Sequence, residues 1–259
     1  MNFSEFKRPL SGWIKDERDE RDLLHIPKVR IADSADLSKI LPAVRDQGNI
    51  GSCTGFGIGA NITGTAKAQG RYVSWFSPTW IYNGGRLEGG TLNYDSGSMP
   101  RNNLEFCRKH GFLLEPFRPY RDVLDRTNPL TWEYKKESVL PRALSWTIDE
   151  YVRITNGIAY IKSALAEGHL VSIGAPWFDS WSKIGSNGKA SEDYSTVIGG
   201  HEFLCWGFNN SDKTLFCMNS WGTRFGKKGM FTIKYSAVDA WLANGGYDAH
   251  YLNFWWGQT

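Results

Sequence analysis

The sequence predicts an α+β fold of two lobes, helical in its first half and β-rich in its second. Three observations lead there. An apolar run from Cys53 to Gln69 opens directly after Ser52 and reads as a helix. Capped helix signals recur up to residue 167. Beyond Gly168 the pattern changes to short apolar or alternating runs separated by Gly, Asn, Ser and Asp.

The first helix is unusual. Ser52 is a good N-cap residue, but Gly55, Gly57, Gly59 and Gly64 lie inside the run, and each costs about 1 kcal/mol relative to Ala. Such a helix forms only where packing offsets that loss, so it is expected to be central and closely approached by other backbone. Ser77-Pro78 starts a second helix in the favoured cap-then-proline order. Ser98 to His110 reads as a third, stopped by Gly111. Asn156 caps a fourth that runs to Glu167, with Ile158, Ile161, Ala164 and Leu165 on one face. Strands are expected at His169–Ala175, His201–Phe208, Thr214–Asn219 and Gly229–Tyr235, with Asn209 to Lys213 as a hairpin loop.

Composition narrows the function. The 259 residues suit one two-lobed unit, and 41% hydrophobic content with 12 Trp, 11 Tyr and 14 Phe is ample for a core. A formal net charge of +3 without a Lys/Arg stripe argues against a nucleic-acid partner. No stretch approaches the ~18 apolar residues of a membrane span, and the N-terminus has no apolar signal segment, so a cytoplasmic or particle-associated chain is expected. Cys53, Cys107, Cys205 and Cys217 are too few for a disulfide scaffold and form no CxxC pair, so neither a structural metal nor a cofactor is implied. The dense charged run from Lys15 to Asp22 reads as a solvated arm, with Gly12-Trp13-Ile14 as its anchor on the body.

The stretch "DQGNIGSCTGF", residues 46–56, carries the chemistry. Cys53 falls in the first turn of the glycine-rich helix, where the helix dipole favours a thiolate. Gly48 and Gly51 let other backbone come close to it. A lone cysteine on an apolar helix is otherwise a small hydrophobe. "GGHEFLCWGF" sets His201 at the start of a strand, and "FCMNSWGTRFGKKGMFTIKY" sets Asn219 at the end of the next. If Phe208 pairs with Thr214, the two meet at the open end of one hairpin, and an imidazole oriented by an amide is a base with its orienter. The same pairing makes Cys205 and Cys217 cross-strand neighbours, as two buried thiols or as a strained disulfide, with the thiols favoured. Cys107 reads as packing, and His25, His110, His169 and His250 as structural or exposed.

These blocks, in this order, resemble the papain-like cysteine peptidases (peptidase family C1) over residues 41–236. His201 follows Cys53 by 148 residues and Asn219 by 166, against about 130–150 for the family. The resemblance implies a papain-like two-lobed fold with a cleft between the lobes. It implies Cys53 as nucleophile, His201 as general base and acid, Asn219 as the holder of the imidazole, and Gln47 as the side-chain donor of the oxyanion hole. Trp221 matches the tryptophan that covers the Asn–His bond, and Gly97-Ser98 the glycine pair that binds extended substrate. Gly51, Gly97, Ser98, Gly200 and Trp221 form the candidate substrate-binding set. Ser98 in place of a glycine narrows the site of the second residue before the scissile bond, Ile50 stands where many members have a disulfide cysteine, and Thr54 replaces an aromatic. "GSCTG" looks more like bacterial, archaeal and phage members, which lack the long helical pro-domain.

The expected organisation is an arm over residues 1–40, either inhibitory or packed on the body, and a peptidase domain over 41–259. That domain divides into a helical lobe at about 41–145 and a β-rich lobe at about 146–259. The expected activity is a cysteine endopeptidase acting on a peptide or protein substrate through an acyl-thioester. The competing readings are a structural or assembly component, for instance of a phage particle with a phage or host protein partner, and a cell-wall peptide hydrolase. The aromatic tail "YLNFWWGQT" is expected to close the β lobe or pack back on the body.

Overall fold

The structure is a computed structural model that describes residues 12–71 and 73–254, so the first part of the arm and the end of the aromatic tail lie outside the described residues. Strand β1 (Ser34–Asp36) precedes three helices, α1 (Cys53–Ala68), α2 (Pro78–Glu88) and α3 (Pro100–His110). A short hairpin, β2 (Glu133–Tyr134) and β3 (Glu137–Ser138), leads to α4 (Leu140–Leu144) and β4 (Glu150–Arg153). There follow α5 (Ile158–Ala166), β5 (Val171–Phe178), β6 (Val197–Asn209), β7 (Thr214–Met218), β8 (Met230–Lys234), α6 (Ser236–Ala243) and β9 (Asp248–Asn253). The main sheet is antiparallel, ordered β4-β9-β5-β6-β7-β8, with β1 added to β6.

Helix α1 is buried along nearly its whole length, as its glycines require. A methyl on Gly55 would lie 2.5 Å from the Pro78 carbonyl, and one on Gly57 2.9 Å from the Glu202 side chain. The missing Cβ atoms thus let α2 and β6 approach from opposite sides, and this contact offsets the helix-propensity cost. Ser52 does not cap the helix with its side chain, contrary to expectation. Its hydroxyl is engaged by Tyr120 instead, at 3.0 Å. In α2 the expected cap forms, Ser77 Oγ accepting from the Trp80 N–H at 3.1 Å. Helix α3 starts at Pro100 rather than Ser98, because Ser98 pairs with the arm. Gly111 ends α3 at φ +75°, a conformation that favours glycine.

The β6–β7 hairpin is one step out of the expected register. Phe208 pairs with Leu215, and the Thr214 partner is Asn209. A bulge at Trp206 then restores the sequence offset, so Cys205 still faces Cys217, and both are free thiols. The bulge coincides with a contact distant in sequence: the Trp206 carbonyl accepts from the Leu37 N–H at 3.0 Å, where β1 adds to β6.

Two cores result. One fills the β lobe around Trp177, Trp181, Phe203 and Trp241. The other fills the helical lobe around Trp80, Phe106 and Phe112, and Leu252 and Phe254 of the tail segment pack into it. Phe106 is fully buried, 5.4 Å from the Trp80 ring, in space left by Gly84. Phe106→Ala should therefore cost about 3–5 kcal/mol of unfolding free energy. Urea titration should show this as a lowered midpoint at unchanged slope.

Candidate active site

The sequence-predicted residues converge where α1 meets the β6–β7 hairpin. Cys53 is the first residue of α1 and is fully buried. His201 lies in β6 and Asn219 just beyond β7, and His201 Nε2 sits 2.7 Å from Asn219 Oδ1. The amide cannot be turned round, since Oδ1 also accepts from the Ser220 N–H at 2.7 Å. Nε2 therefore carries the proton in the neutral ring, and Nδ1 is left as the basic atom. That nitrogen is buried with no hydrogen-bond partner among the described residues. The Trp221 ring lies 4.6 Å from the imidazole and Trp177 packs on it edge-on at 5.0 Å, together keeping water from the His–Asn bond.

Gln47 is held from three sides. Its N–H donates to the Ser220 carbonyl at 2.8 Å, Oε1 accepts from Ser220 Oγ at 2.6 Å, and Nε2 donates to the Ile50 carbonyl at 2.9 Å. One Nε2 hydrogen remains for a developing oxyanion. Gly51 donates its N–H to the Asp95 carboxylate at 3.0 Å. Tyr82 links that carboxylate (2.6 Å) to the Gly97 N–H (3.1 Å). Ser98 Oγ bonds Thr54 Oγ1 at 2.7 Å, tying the Gly97-Ser98 segment to the first turn of α1. Asp95, Tyr82, Trp177 and Ser220 were not singled out from the sequence. Only Ser220, next to Asn219, carried a local signal.

The arm occupies this cleft. The Ser98 N–H donates to the Gly12 carbonyl at 3.0 Å, and the Ser98 carbonyl accepts from the Ile14 N–H at 3.1 Å. A methyl on Gly12 would stand 2.6 Å from Cys53 Sγ. Trp13 lies against Gly174 and Gly200, and its indole N–H donates to Asp248 Oδ2 at 2.9 Å. The charged run, expected to be solvated throughout, is only partly so. Asp16 is buried, its backbone N–H donating to Asp248 Oδ2 at 2.8 Å and its Oδ1 accepting from the Arg101 N–H at 3.0 Å. Asp22 pairs with Arg101 at 2.5 Å and Arg153 at 2.9 Å.

Burial dominates the electrostatics. It holds the Cys53 thiol well above its usual range, with the Glu202 carboxylate adding to the effect. It presses His201 down to about 4, against the bond to Asn219. Glu202, fully buried with both oxygens unpartnered, is pushed far up by burial and by Asp16 and Asp248. In this covered state burial favours the neutral form of both the thiol and the imidazole. Among the described residues no group of three or more His, Cys, Asp or Glu could hold a metal ion.

Comparison with known proteins places these features in context. The family model for the papain family cysteine protease matches residues 30–244. An uncharacterized peptidase C1-like protein of Acanthamoeba polyphaga mimivirus is 29% identical over 254 residues, covering 88% of this chain and 82% of the relative. Xylellain, a cysteine protease from Xylella fastidiosa, superposes with a TM-score of 0.82 at 26% identity, covering 96% of this chain and 98% of its own. A Carica candamarcensis cysteine protease, solved in complex with E-64, shares the fold at a TM-score of 0.66 and 20% identity, over 86% of this chain and 99% of its own.

All four cysteines are free and buried. Titration of the native chain with a disulfide reagent should show no fast thiol, and the denatured chain should show four.

Proposed function

Since the chain belongs to the papain family of cysteine proteases and is a cysteine peptidase acting on peptide substrates, we propose that Cys53, His201, Asn219 and Gln47 carry its reaction. The observation that supports this most directly is the 2.7 Å bond between His201 and Asn219, shielded by Trp221 and set beside the N-terminus of α1. His201 takes the Cys53 proton on Nδ1, and the thiolate attacks the substrate carbonyl. The oxyanion is met by the Cys53 N–H and Gln47 Nε2. The intermediate collapses, the leaving amine takes the proton from His201, and a thioester remains. His201 then accepts a proton from water, which attacks the thioester and returns the thiolate. Nothing in the comparisons supports the structural-component or cell-wall readings.

E-64 labelling followed by mass spectrometry tests the assignment. Modification should be confined to Cys53, absent in Cys53→Ala and at least tenfold slower in His201→Ala. Loss of one oxyanion donor in Gln47→Ala should lower kcat about 10²–10³-fold. Labelling at another cysteine, or full activity in Cys53→Ala, would reject the assignment.

The arm is the brake on this site in our reading. Gly12 covers the thiol and Ser98 has both backbone groups engaged, so substrate and arm compete for one place. Covering the site also dries it, which disfavours the thiolate–imidazolium pair. Docking should depend on pH. Asp16, ordinarily near 3.8, is pushed up to about 8 by burial and by Asp248. A raised pKa means that the docked arm holds the extra proton. The contribution is complete below the ordinary value and is lost as pH rises through the docked one. His250, pressed down to about 3 by burial, acts in the opposite sense only below its ordinary 6.5. Between pH 6.5 and 8 the arm should therefore loosen by up to about tenfold per pH unit. The E-64 labelling rate of the full chain should rise with pH more steeply than that of Asp16→Asn. Equal slopes would remove Asp16 from the docking equilibrium.

A further inference from the structure

Glu202 stands beside the site and takes no part in the reaction described above. It follows His201 in β6 and points the other way, toward α1. Its side chain fills the notch at Gly57, one turn beyond Cys53. A methyl on Gly57 would stand 2.9 Å from both Cγ and Oε1 of Glu202. Gly57 has ordinary helical angles, so its backbone does not call for glycine, and the residue weakens the helix. Its absent side chain is what admits the carboxyl group. The Glu202 backbone N–H donates to the Cys53 sulfur, so one residue meets the first turn of α1 with both its main chain and its side chain.

Both carboxyl oxygens are buried and have no hydrogen-bond partner among the described residues. The same is true of Asn219 Nδ2, although Oδ1 of that amide holds His201 and the Ser220 N–H. Gly57, Glu202, Asn219 and Ser220 line one cavity, with about 10 Å³ of space for the centre of a water molecule. That is room for one water, and the two polar groups are the partners such a water needs. Phe56, Leu204 and Met218 complete the wall, and bare polar groups in that surround are costly.

The neighbours also settle the charge on the carboxyl group. Asp16 of the arm and Asp248 of β9 are acids and oppose its ionisation, as burial does. Arg45 lines the cavity, but its guanidinium is held by Glu115 at 2.8 Å. A carboxylate here would oppose a thiolate at Cys53. The neutral acid suits both the burial and the reaction, and it can accept and donate at once.

We propose that Glu202 is a positioning residue for Asn219, joined to its amide Nδ2 by one buried water. The proposal rests on the triad assignment above. With Oδ1 held by Ser220 and Nδ2 by the water, the amide is fixed at both ends, and the imidazole keeps its Nε2 partner.

The test uses the full chain with its Glu202→Gln and Glu202→Met variants. Gln keeps a neutral group that donates and accepts, and Met keeps the length and bulk without either. Glu202→Gln should stay within about threefold of the parent in kcat, while Glu202→Met should fall about tenfold at unchanged KM. The alkaline limb of kcat/KM reports the imidazolium. The bond to Asn219 favours that form, so the limb should move to lower pH in Glu202→Met and stay in place in Glu202→Gln. A crystal structure of the full chain should show one ordered water within hydrogen-bond reach of Glu202 and Asn219 Nδ2. No water there, a Glu202→Met chain with the parent's kcat and pH limb, or a Glu202→Gln chain as slow as Glu202→Met overturns the proposal. The water is seen without turnover. If Cys53→Ala keeps its activity, the triad assignment falls, while the water still decides whether Glu202 and Asn219 are joined.

Discussion

The molecule depends on how closely α1 can be approached. Its first residue is Cys53, and its flanks must touch α2 on one side and β6 on the other. A helix with ordinary side chains would hold those elements apart by the width of a methyl group or more. At Gly55 and Gly57 the partner is a backbone carbonyl and a buried carboxyl side chain, neither able to retreat without disturbing its own lobe. The two lobes are thus fixed relative to the thiol by contacts at the helix axis. This rigidity lets residues on separate elements present a formed His–Asn pair and an oriented Gln47 without help from substrate.

Asn219 and Gln47 share one device. Both amides are oriented by Ser220, through its N–H and its hydroxyl respectively. A single residue after β7 therefore fixes which nitrogen of His201 is basic and which face of Gln47 is free to donate. That coupling ties the His201 imidazole and the Gln47 amide to one residue.

The candidate site was legible because its signals are local. Cys53 follows its glycines directly, His201 follows two more, and Asn219 ends a short apolar run. The two-lobed order was legible from the change of period near residue 168. What sequence reasoning missed depends on distant partners. The bulge at Trp206 answers to Leu37, and Ser52 gives its hydroxyl to Tyr120 rather than to its own helix. The charged run looked solvated because Arg101, Arg153 and Asp248, which bury its acids, come from three remote elements. Trp13 was visible as an anchor, but its cavity consists of two absent side chains, and an absence in a strand leaves no periodic trace.

The same burial that positions the site also acts on both of its candidate reacting groups. Desolvation disfavours charge on whichever group would carry it, so it raises the thiol and lowers the imidazole together, and both shifts favour the neutral pair. The helix dipole is too weak to reverse this, being worth about 2 kcal/mol at best in partly buried geometry. Admitting water or a polar substrate relieves both groups at once. With the arm in the cleft, the His201–Asn219 bond is formed. The segment that covers the site is anchored by the Trp13 indole, Asp16 and Asp22, and it touches the site without displacing that bond.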